Sequence, residues 1–496
     1  MSIQSEINRI SGNVADALTA IANKGVTVPS GSNSDDLATL IGQIQQGGGG
    51  AGAISIVDTP DSAGGTVRTI TAVDISSDTV TAAHLESGYT AHDAAGNAIT
   101  GTLSPGGGGT PAPQKQVNFI DYDGTILYSY TAQEANALTA LPANPSHSGL
   151  TAQGWNWTLQ EIKAQLTAMP DAPVWVGQMY ITQSGDTEID VSMPDGRLSP
   201  ILTIAVNGEV TVDWGDNTTV DTVTGSSLDA RQAPSHTYAV PGEYTIKIHV
   251  VSGSFTFYGG GGYMLLRKNT NTSTNRVYSN CIQAIRLGSD ITNIRSYAFY
   301  LCTSLESITI PNAVTSIEQS AFNGCYSLAS VTIPKDVASI QNGLFTSCYT
   351  IASISIPANV TSIGNSSFYY CYSLASVTIP NGVTGFNGSA FYYCYSLASI
   401  TLPSGMTSLG TYEFYCDYSL ASITIPSTVT SIGNSTFNSC YGVAEYHILP
   451  TTPPTLGTQV FNNIQSDCVI YVPFAKLTDY QTAENWSAYA SHMQGE

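Results

Sequence analysis

The C-terminal half of the chain repeats one pattern of apolar and polar positions about every 23 residues. Each unit reads F-x-x-C-Y-S-L-A-S-[VI]-T-I-P-x-x-V-T-S-I-G, and its Phe recurs at 299, 322, 345, 368, 391, 414 and 437. A period in the range of about 20–29 residues with regularly spaced Leu and Ile predicts a solenoid, because one unit cannot bury its apolar face alone. We expect the S-[VI]-T-I segments to form one strand per repeat, stacked as a parallel wall.

Alternate residues of such strands should point to opposite faces of the wall. Val331 and Ile333 would point inward, so Ser330 and Thr332 would point to solvent. The equivalent pairs are Ser307/Thr309, Ser353/Ser355, Ser376/Thr378, Ser399/Thr401 and Ser422/Thr424. Only six charged residues lie between 301 and 440. This predicted hydroxyl face therefore favours a neutral polar ligand, such as a glycan.

The repeat resembles the BspA-like leucine-rich repeats of bacterial and phage surface proteins, over residues 276–448. The segment "IYVPFAKLTDYQTAENWSAYA" at 470–490 also resembles the C-terminal cap of that family, and we place this cap at 449–496. The resemblance implies a parallel-sheet solenoid with a role in surface binding.

A Cys recurs at 302, 325, 348, 371, 394 and 440, while Cys416 lies one place early and Asp417 takes its position. Metal ligands must converge from different directions, which a column of identical positions does not do. Disulfides between in-register neighbours would be strained. We therefore predict small buried side chains, each with its weak S–H donor near a backbone carbonyl.

A Tyr follows the Cys position in every repeat after the first, at 326, 349, 372, 395, 418 and 441, and more Tyr residues crowd the central repeats. Rings in register could stack as a structural ladder, which we favour for the regular column. Tyr is also rigid and amphipathic, which suits a binding surface. We favour ligand contact for the additional pairs 369/370 and 392/393. The candidate receptor-binding residues are Tyr369, Tyr370, Tyr392, Tyr393, Tyr372, Tyr395, Tyr415 and Tyr418.

Residues 186–258 alternate apolar and polar positions, as half-buried strands do. They carry "VTVDWGDNTTV" at 210–220 and "PSHTYAVPGEYTIKIHV" at 234–250, and together these resemble a PKD-like β-sandwich, a spacer or adhesion module. We expect His236 to be a buried structural residue. Asp213, Asp216 and Asn217 are weak calcium candidates, and turn capping is the favoured reading of all three.

Residues 115–185 form a predicted small α+β module. Its stretch Asp121-x-Asp123-Gly124-Thr125 resembles the nucleophile motif of haloacid dehalogenase-like phosphatases. That chemistry needs a Lys and an acidic magnesium pair on a larger α/β fold, and the only Lys of the module that follows the motif is Lys163. We therefore interpret the stretch as an Asp-Gly turn between two strands. We assign Trp155 and Trp157 to the core of the module.

Apolar residues at Ile3, Ile7, Ile10, Val14, Leu18 and Ile21 step by three and four within an N-terminal helical segment, 1–46. Ile at both seam positions favours a three-stranded coiled coil, and an amphipathic helix packed on its own chain is the alternative. Residues 47–68 are a Gly-rich linker with a strand, and 104–114 are a second linker.

Residues 69–103 form a predicted small β module with a hairpin turn at 94–97. The pattern Gly88, Thr90, Ala91, Gly96, Ile99 and Thr100 to Leu103 resembles a segment of tail proteins from phages of Gram-positive bacteria. The resemblance implies a place in a phage tail.

Charged residues make up only 10% of the chain, and its net charge is −21. Such a charge repels phosphate backbones and anionic membranes, so we expect no nucleic-acid partner. The sequence has no apolar run of about 18 residues, so we expect no membrane insertion. The N-terminal segment lacks the basic and apolar regions of a secretory signal, so we expect another route out of the cell, such as release within a virus particle.

The sequence thus predicts a mainly β, multidomain chain with a short coiled-coil helix, small β modules, a PKD-like sandwich and a C-terminal solenoid. We expect a non-enzymatic phage tail fibre, homotrimeric, without a cofactor, attached to tail or baseplate proteins and binding a host cell-surface glycan or protein. The alternative is a bacterial cell-surface adhesin, for which no export signal or wall anchor is found. A phosphatase or glycan depolymerase is third, since the paired carboxylates of a depolymerase are scarce in the repeats.

Overall fold

The structure is a computed structural model, which describes residues 116–170, 172–259, 265–268 and 278–496, together with the backbone of four earlier strands. The chain divides into two compact units, Met1–Pro113 and Gln114–Glu496. The predicted coiled-coil segment 1–46 and most of both predicted linkers lie outside the described residues. No helix in the described part of the chain is long and apolar enough to cross a membrane.

Two antiparallel strand pairs are described in the first unit. They are β1 (Ile54–Pro60) with β2 (Thr66–Ala72), and β3 (Thr90–His92) with β4 (Ala98–Thr100). His92 pairs with Ala98, which confirms the hairpin predicted around residues 94–97.

The α+β module is a four-stranded sheet covered by helices. Its elements are β5 (Val117–Ile120), β6 (Ile126–Tyr130), α1 (Ala132–Ala137), β7 (Leu150–Trp155), α2 (Leu159–Ala168) and β8 (Val174–Thr182), with the strand order β6-β5-β8-β7. Each helix begins with a capping box, in which a Thr side chain and a Glu three residues later satisfy the first backbone N–H groups. Trp155 and Trp157 are buried in its core, as predicted.

The Asp-Gly turn joins β5 to β6. The N–H of Asp121 donates to the carbonyl of Thr125 at 2.9 Å, and the N–H of Gly124 donates back to Asp121 at 3.1 Å. Gly124 has φ = +89°, a conformation that favours glycine. Lys163 donates to the carbonyl of Leu138 at 2.8 Å. The turn interpretation is confirmed.

The region predicted as a PKD-like sandwich contains one long sheet and a short strand pair. Its strands are β9 (Thr187–Met193), β10 (Ile201–Leu202), β11 (Ile204–Asp213), β12 (Asp221–Gln232), β13 (Gly242–Phe257) and β14 (Leu266–Arg267), followed by β15 (Ile282–Arg286). The main sheet has the order β12-β11-β13-β9-β15, and β15 pairs antiparallel with β9 and parallel with the next repeat strand. A separate two-stranded pair joins β10 and β14. The sheet therefore continues into the solenoid and covers the edge of its first strand.

Between residues 364 and 407 only isolated bridges are formed, at Ser376, Gly385, Phe386 and Ser399. The other repeats supply up to two short strands each, where the sequence predicted one. They are β16 (Asn293–Ile294), β17 (Ser307–Thr309), β18 (Ser316–Ile317), β19 (Ser330–Thr332), β20 (Ser339–Ile340), β21 (Ser353–Ser355), β22 (Ser362–Ile363), β23 (Ser408–Leu409), β24 (Ser422–Ile425), β25 (Ser431–Ile432), β26 (Glu445–Ile448) and β27 (Thr455–Leu456). Their pairings are parallel, mostly 23 residues apart. The wall is divided into groups, β15-β17, β19-β21 and β24-β26 with the cap, and a single bridge joins Ser376 to Ser399.

The C-terminal residues close the end of this core. The cap contains β28 (Val469–Val472), α3 (Leu477–Thr482) and β29 (Met493–Gly495), and β28 and β29 extend the group of β24 and β26. Buried Tyr480 and Trp486 donate to the carbonyls of Pro450 at 2.7 Å and Pro454 at 2.8 Å. One hydrophobic core runs from Ile189 in β9 to Met493 in this cap.

The hydroxyl face is largely covered, so its predicted exposure is wrong over the first repeats. Thr309, Ser330, Thr332, Ser353, Ser355 and Thr378 are buried. Strand β8 and the β5–β6 turn lie across them: Thr378 donates to Pro173 O at 2.7 Å, Ser355 to Trp175 O at 2.6 Å and Ser330 to Tyr122 O at 3.1 Å. Beyond them, Ser399, Ser422 and Thr424 are exposed and Thr401 is partly exposed.

The repeat Pro explains why the α+β module fits this face. In a parallel ladder, the carbonyl of the residue before each Pro would accept from the backbone N–H at the Pro position of the next repeat. That residue is again Pro and has no N–H. Where Leu449 replaces this Pro, its N–H does donate to Ile425 O, at 3.1 Å. The orphaned carbonyls elsewhere need other donors because buried carbonyls are rarely left unpaired.

Three side chains of the module provide those donors on successive repeats. Asn156 Nδ2 donates to Ile333 O at 2.8 Å, Trp157 Nε1 to Ile356 O at 2.9 Å and Gln165 Nε2 to Ile379 O at 3.0 Å. The module is therefore held to the repeats by hydrogen bonds at the 23-residue spacing.

Gly177→Ala should disrupt this docking. A Cβ at Gly177 would overlap the buried side chain of Thr332, so we expect the free energy of unfolding to fall by about 1–3 kcal/mol in denaturant titrations. Adding Thr332→Ala, which removes two of the overlapping atoms, should restore part of the lost stability. Gly405→Ala is the control, because a Cβ there meets no atom within 4 Å. Equal stability of the Gly177 and Gly405 variants would contradict the docking.

Candidate functional site

The candidate site is built on the turn that follows each repeat Phe. The Phe rings stack along the solenoid, with centroids 5.3–5.7 Å apart from Phe299 to Phe461. Two positions per repeat, two residues before and two after the Phe, adopt positive φ. This tight, repeated turn fixes the direction of the side chains around the Phe.

The Cys column lies directly inside this turn. The thiols of Cys325, Cys348, Cys371 and Cys394 donate to the carbonyl of the Phe 26 residues earlier at 3.2–3.3 Å, and Cys440 does so at 2.8 Å. All nine cysteines are free and buried. Burial raises the pKa of the thiols from Cys302 to Cys394. The prediction of small buried side chains bonded to carbonyls is confirmed.

The regular Tyr column stacks on the outside of the turn. Centroid distances from Tyr326 through Tyr349, Tyr372 and Tyr395 to Tyr418 are 4.7–4.9 Å with nearly parallel rings, and the last pair, Tyr418–Tyr441, is tilted at 5.5 Å. The structural ladder predicted for this column is therefore present.

The additional Tyr residues form two further columns beside it. Tyr369, Tyr392 and Tyr415 stack at 4.6 and 4.9 Å, while Tyr370 and Tyr393 stack at 5.2 Å. The columns contact one another, with Tyr370 5.6 Å from Tyr372 and Tyr393 5.4 Å from Tyr395. The structure thus brings all eight sequence-predicted residues into one tyrosine surface.

Tyr412 belongs to the same surface but escaped the sequence analysis. It is 43% exposed and lies 5.6 Å from Tyr415 and 6.1 Å from Tyr392. The feature that could have identified Tyr412 is its position two residues before Phe414, where the backbone has positive φ in every repeat. We define the tyrosine surface as Tyr369, Tyr370, Tyr372, Tyr392, Tyr393, Tyr395, Tyr412, Tyr415 and Tyr418.

Stacking determines which parts of the rings can meet a ligand. Within a column each ring covers the face of the next, so the half-buried rings present edges and hydroxyls outward. The rings at the two ends of the regular column are more exposed, Tyr326 at 36% and Tyr441 at 47%. The centre of the surface is therefore suited to hydrogen bonding, which phenol hydroxyls can both donate and accept.

The hydroxyls stay neutral over the physiological range. Burial raises the pKa of Tyr393 to about 12 and also raises the pKa of Tyr369 and Tyr392 above the usual value. The surface therefore carries no charge of its own at neutral pH.

The sixth repeat is the exception in the core behind this surface. Glu413 and Asp417 are fully buried there. Glu413 Oε1 accepts from the N–H of Ala390 at 3.0 Å, and Asp417 Oδ1 accepts from the N–H of Cys394 at 2.8 Å. Asp417, which occupies the Cys position, thus bonds to the preceding repeat through its side chain. Burial raises the pKa of Glu413 to about 8 and that of Asp417 well above its usual value.

The two motifs at 210–220 and 234–250 lie against each other, as their resemblance implied, and their contacts stabilise the fold. The Trp214 and His236 rings stack at 5.3 Å, and His236 Nε2 lies 2.8 Å from Asp216 Oδ2. His236 is largely buried, as predicted. Asp213 accepts from the N–H of Gly215 at 2.9 Å, and Asp216 accepts from Thr218, while Asn217 has a positive φ of 61° within the same turn. The carboxylates therefore cap this turn. Among the described residues, no group of three or more His, Cys, Asp or Glu is placed to hold a metal ion.

The buried carboxylate of Glu413 should make the stability of the chain depend on pH. Because its pKa is raised in the folded state, its contribution is complete below about pH 4.5 and is lost as the pH rises through about 8. The unaltered chain should therefore lose roughly a few kcal/mol of unfolding free energy between pH 5 and pH 9. The Glu413→Gln variant should lose less over the same range, because Gln does not titrate. Denaturant titrations at both pH values measure it. Exposed Glu306→Gln is the control, and an equal response of the two variants would contradict the assignment.

Comparison with known families identifies the repeats. A family model described as BspA type leucine rich repeat region matches residues 270–396 and 361–478, with six copies. Residues 270–478 are therefore BspA-type leucine-rich repeats, as their sequence resemblance implied. They make up less than half of the chain. A comparison with curated proteins finds no match.

Solved structures with similar repeats come from several bacteria. A leucine-rich repeat protein of T. pallidum is 23% identical, with a TM-score of 0.31, covering 46% of this chain and 95% of that one. One from Bacteroides ovatus is 22% identical, with a TM-score of 0.27, covering 43% and 66%. One from Eubacterium ventriosum is 22% identical, with a TM-score of 0.28, covering 46% and 75%. The family match, and not these likenesses, identifies the repeats.

Proposed function

We propose that this chain, whose residues 270–478 are BspA-type leucine-rich repeats, is a non-enzymatic adhesin of the bacterial cell surface. In this proposal it binds a glycan or protein on the surface of a target cell. The observation that carries the proposal is the tyrosine surface, a cluster of nine rings on consecutive repeats.

The backbone at two of these rings supports a role beyond packing. Tyr370 and Tyr393 have φ of 63° and 61°, at a position where an earlier repeat has Gly324. A side chain in this conformation costs about 1–2 kcal/mol, which glycine would avoid. Other repeats carry Gly324, Ser347, Cys416 or Ser439 here. The turn therefore does not need an aromatic ring, and the two rings are available for contact.

The chemistry of the surface favours a neutral ligand rich in hydroxyl or amide groups. The rings present neutral hydroxyls, and the two carboxylates of the same repeats, Glu413 and Asp417, are buried behind them. Binding would then depend on hydrogen bonds and ring edges more than on charge, so it should vary little with salt.

The absence of an enzymatic role is part of the proposal. The one motif that resembled a phosphatase, Asp121 to Thr125, is occupied by the hydrogen bonds of a tight turn. His147 Nε2 lies 2.7 Å from Asp121 Oδ2, and this pair packs against Tyr122 and Tyr180. These contacts favour a structural role for Asp121.

Removing four hydroxyls from the tyrosine surface should weaken binding without unfolding the repeats. Replacing Tyr369, Tyr370, Tyr392 and Tyr393 with Phe keeps the stacked rings but loses their hydrogen bonds, each of which contributes about 0.5–1.5 kcal/mol. We expect at least about tenfold weaker binding of the labelled full-length chain to target cells, measured by flow cytometry. The thermal unfolding temperature should change little.

A matched control is available at the other end of the repeats. Replacing Tyr297, Tyr300, Tyr326 and Tyr349 with Phe removes the same number of hydroxyls outside the tyrosine surface. This variant should bind as the unaltered chain does. If both variants bind equally well, the tyrosine surface is not the receptor site.

A phage tail fibre is the second candidate. It is favoured by the pattern at 69–103, whose hairpin β3–β4 is described, but the family match lies in the repeats and does not reach this pattern. In this reading the segment 1–46 joins three chains and attaches them to tail or baseplate proteins, and the virion is the location. The adhesin is preferred because it depends only on the repeats.

The two candidates differ in their assembly and their targets. A tail fibre should have a mass in solution of about three 52.1 kDa chains and should adsorb to Gram-positive cells. Sedimentation equilibrium and a cell-adsorption assay measure both. A strict monomer that adsorbs to no Gram-positive strain would eliminate the tail-fibre candidate.

A further inference from the structure

The hydroxyl face continues beyond the part that the α+β module covers. Ser399, Ser422 and Thr424 are exposed there, and Thr401 is partly exposed. They stand 23 and 46 residues after Ser376 and Thr378, which the module covers. The open stretch therefore repeats the residue types of the covered stretch in the same register.

The covered stretch shows how this face holds a polypeptide. The backbone of residues 173–177 is extended and crosses successive repeats. Thr378 Oγ1 donates to Pro173 O at 2.7 Å and accepts from the N–H of Trp175 at 3.0 Å, and Ser355 Oγ donates to Trp175 O at 2.6 Å. Ser376 Oγ accepts from Trp175 Nε1 at 3.0 Å. The repeat hydroxyls thus pair with both backbone donors and backbone acceptors.

An orphaned carbonyl also lies in the open stretch. Leu402 is the equivalent of Ile379, and Pro426 one repeat later has no N–H to offer it. Within the described residues no hydrogen bond to Leu402 O is found. The three preceding repeats each receive a side-chain N–H from the module at this position, from Asn156, Trp157 and Gln165.

We propose that the open stretch, formed by Ser399, Thr401, Leu402, Ser422 and Thr424, binds an extended polypeptide segment of a partner protein in the way that the covered stretch binds residues 173–177. The hydroxyls pair with the backbone of the segment, and an indole or amide side chain of the partner donates to Leu402 O. The open stretch continues an interface that already exists inside this chain. The open stretch shares no residue with the tyrosine surface, and its occupant is a polypeptide segment, so this inference goes beyond the proposed adhesin function.

The test uses the full-length chain and a defined peptide probe. A fluorescein-labelled synthetic peptide with the sequence of residues 172–178, APVWVGQ, is titrated with the chain while fluorescence anisotropy is measured. We expect saturable binding. The double variant Thr401→Val/Thr424→Val, which keeps the side-chain shape but removes both hydroxyls, should bind at least about tenfold more weakly. Methylating the backbone nitrogen of the peptide Trp, which removes the N–H that Thr378 accepts in the covered stretch, should weaken binding similarly.

Thr407→Val/Thr430→Val is the matched control. These exposed hydroxyls donate to carbonyls of the preceding repeat at 3.2 Å, outside the hydroxyl face, so peptide binding should be unchanged. The Tyr→Phe variant of the tyrosine surface should also bind the peptide normally, which separates failure of this inference from failure of the adhesin proposal. No saturable binding, or equal binding by the Thr401/Thr424 and Thr407/Thr430 variants, would overturn the inference. So would self-association or glycan-array binding that the Thr401/Thr424 variant alone abolishes, because the occupant would then be a second copy or a glycan.

Discussion

The 23-residue register of the repeats is the constraint on which the rest of the structure depends. Groups buried in one repeat find their partners in the adjacent one: Phe rings stack at 5.3–5.7 Å, and Cys thiols reach a Phe carbonyl 26 residues back. A repeat that lost the register would bury polar groups without partners. The sixth repeat places its Cys one residue early, and there the carboxylate of Asp417 accepts the N–H of Cys394 in place of a packed thiol. The carboxylate in place of the thiol therefore keeps this repeat bonded to the preceding one.

The repeat Pro interrupts the hydrogen bonding between adjacent repeats on the strand side. It ends each strand, but it removes the donor that the previous repeat would use, and so it leaves a row of carbonyls spaced by one repeat. The α+β module supplies donors from Asn156, Trp157 and Gln165 to three of them. The module is therefore part of the hydrogen-bonding scheme of the repeats, and the sheet of β9 to β13 covers the first repeat edge in a similar way. Segments that look like spacers in the sequence complete the solenoid.

Two surfaces of different chemistry result from this arrangement. The tyrosine surface presents phenol edges and hydroxyls on the turns that follow the Phe ladder. The open part of the hydroxyl face presents Ser and Thr side chains on strands, next to a face already occupied by polypeptide. Because its rings are stacked, the tyrosine surface offers mainly hydroxyls and ring edges to a ligand. The open part of the hydroxyl face offers hydroxyls at the spacing of neighbouring strands. The two surfaces share no residue.

The sequence by itself determined the columns of side chains that depend on spacing within the repeats. The columns of Phe, Cys and Tyr, the carbonyl partners of the thiols and the Asp-Gly turn at 121–125 follow from local chemistry and from a period that the sequence displays directly. It did not determine that β9 pairs with β15 to make one sheet, nor that β8 and the β5–β6 turn lie across Ser330 to Thr378. Those contacts join residues about 100 to 208 positions apart, and no periodicity links the two sides. Only the tertiary structure decided which hydroxyls meet solvent, because exposure depends on what packs against a strand as well as on which face its side chains occupy.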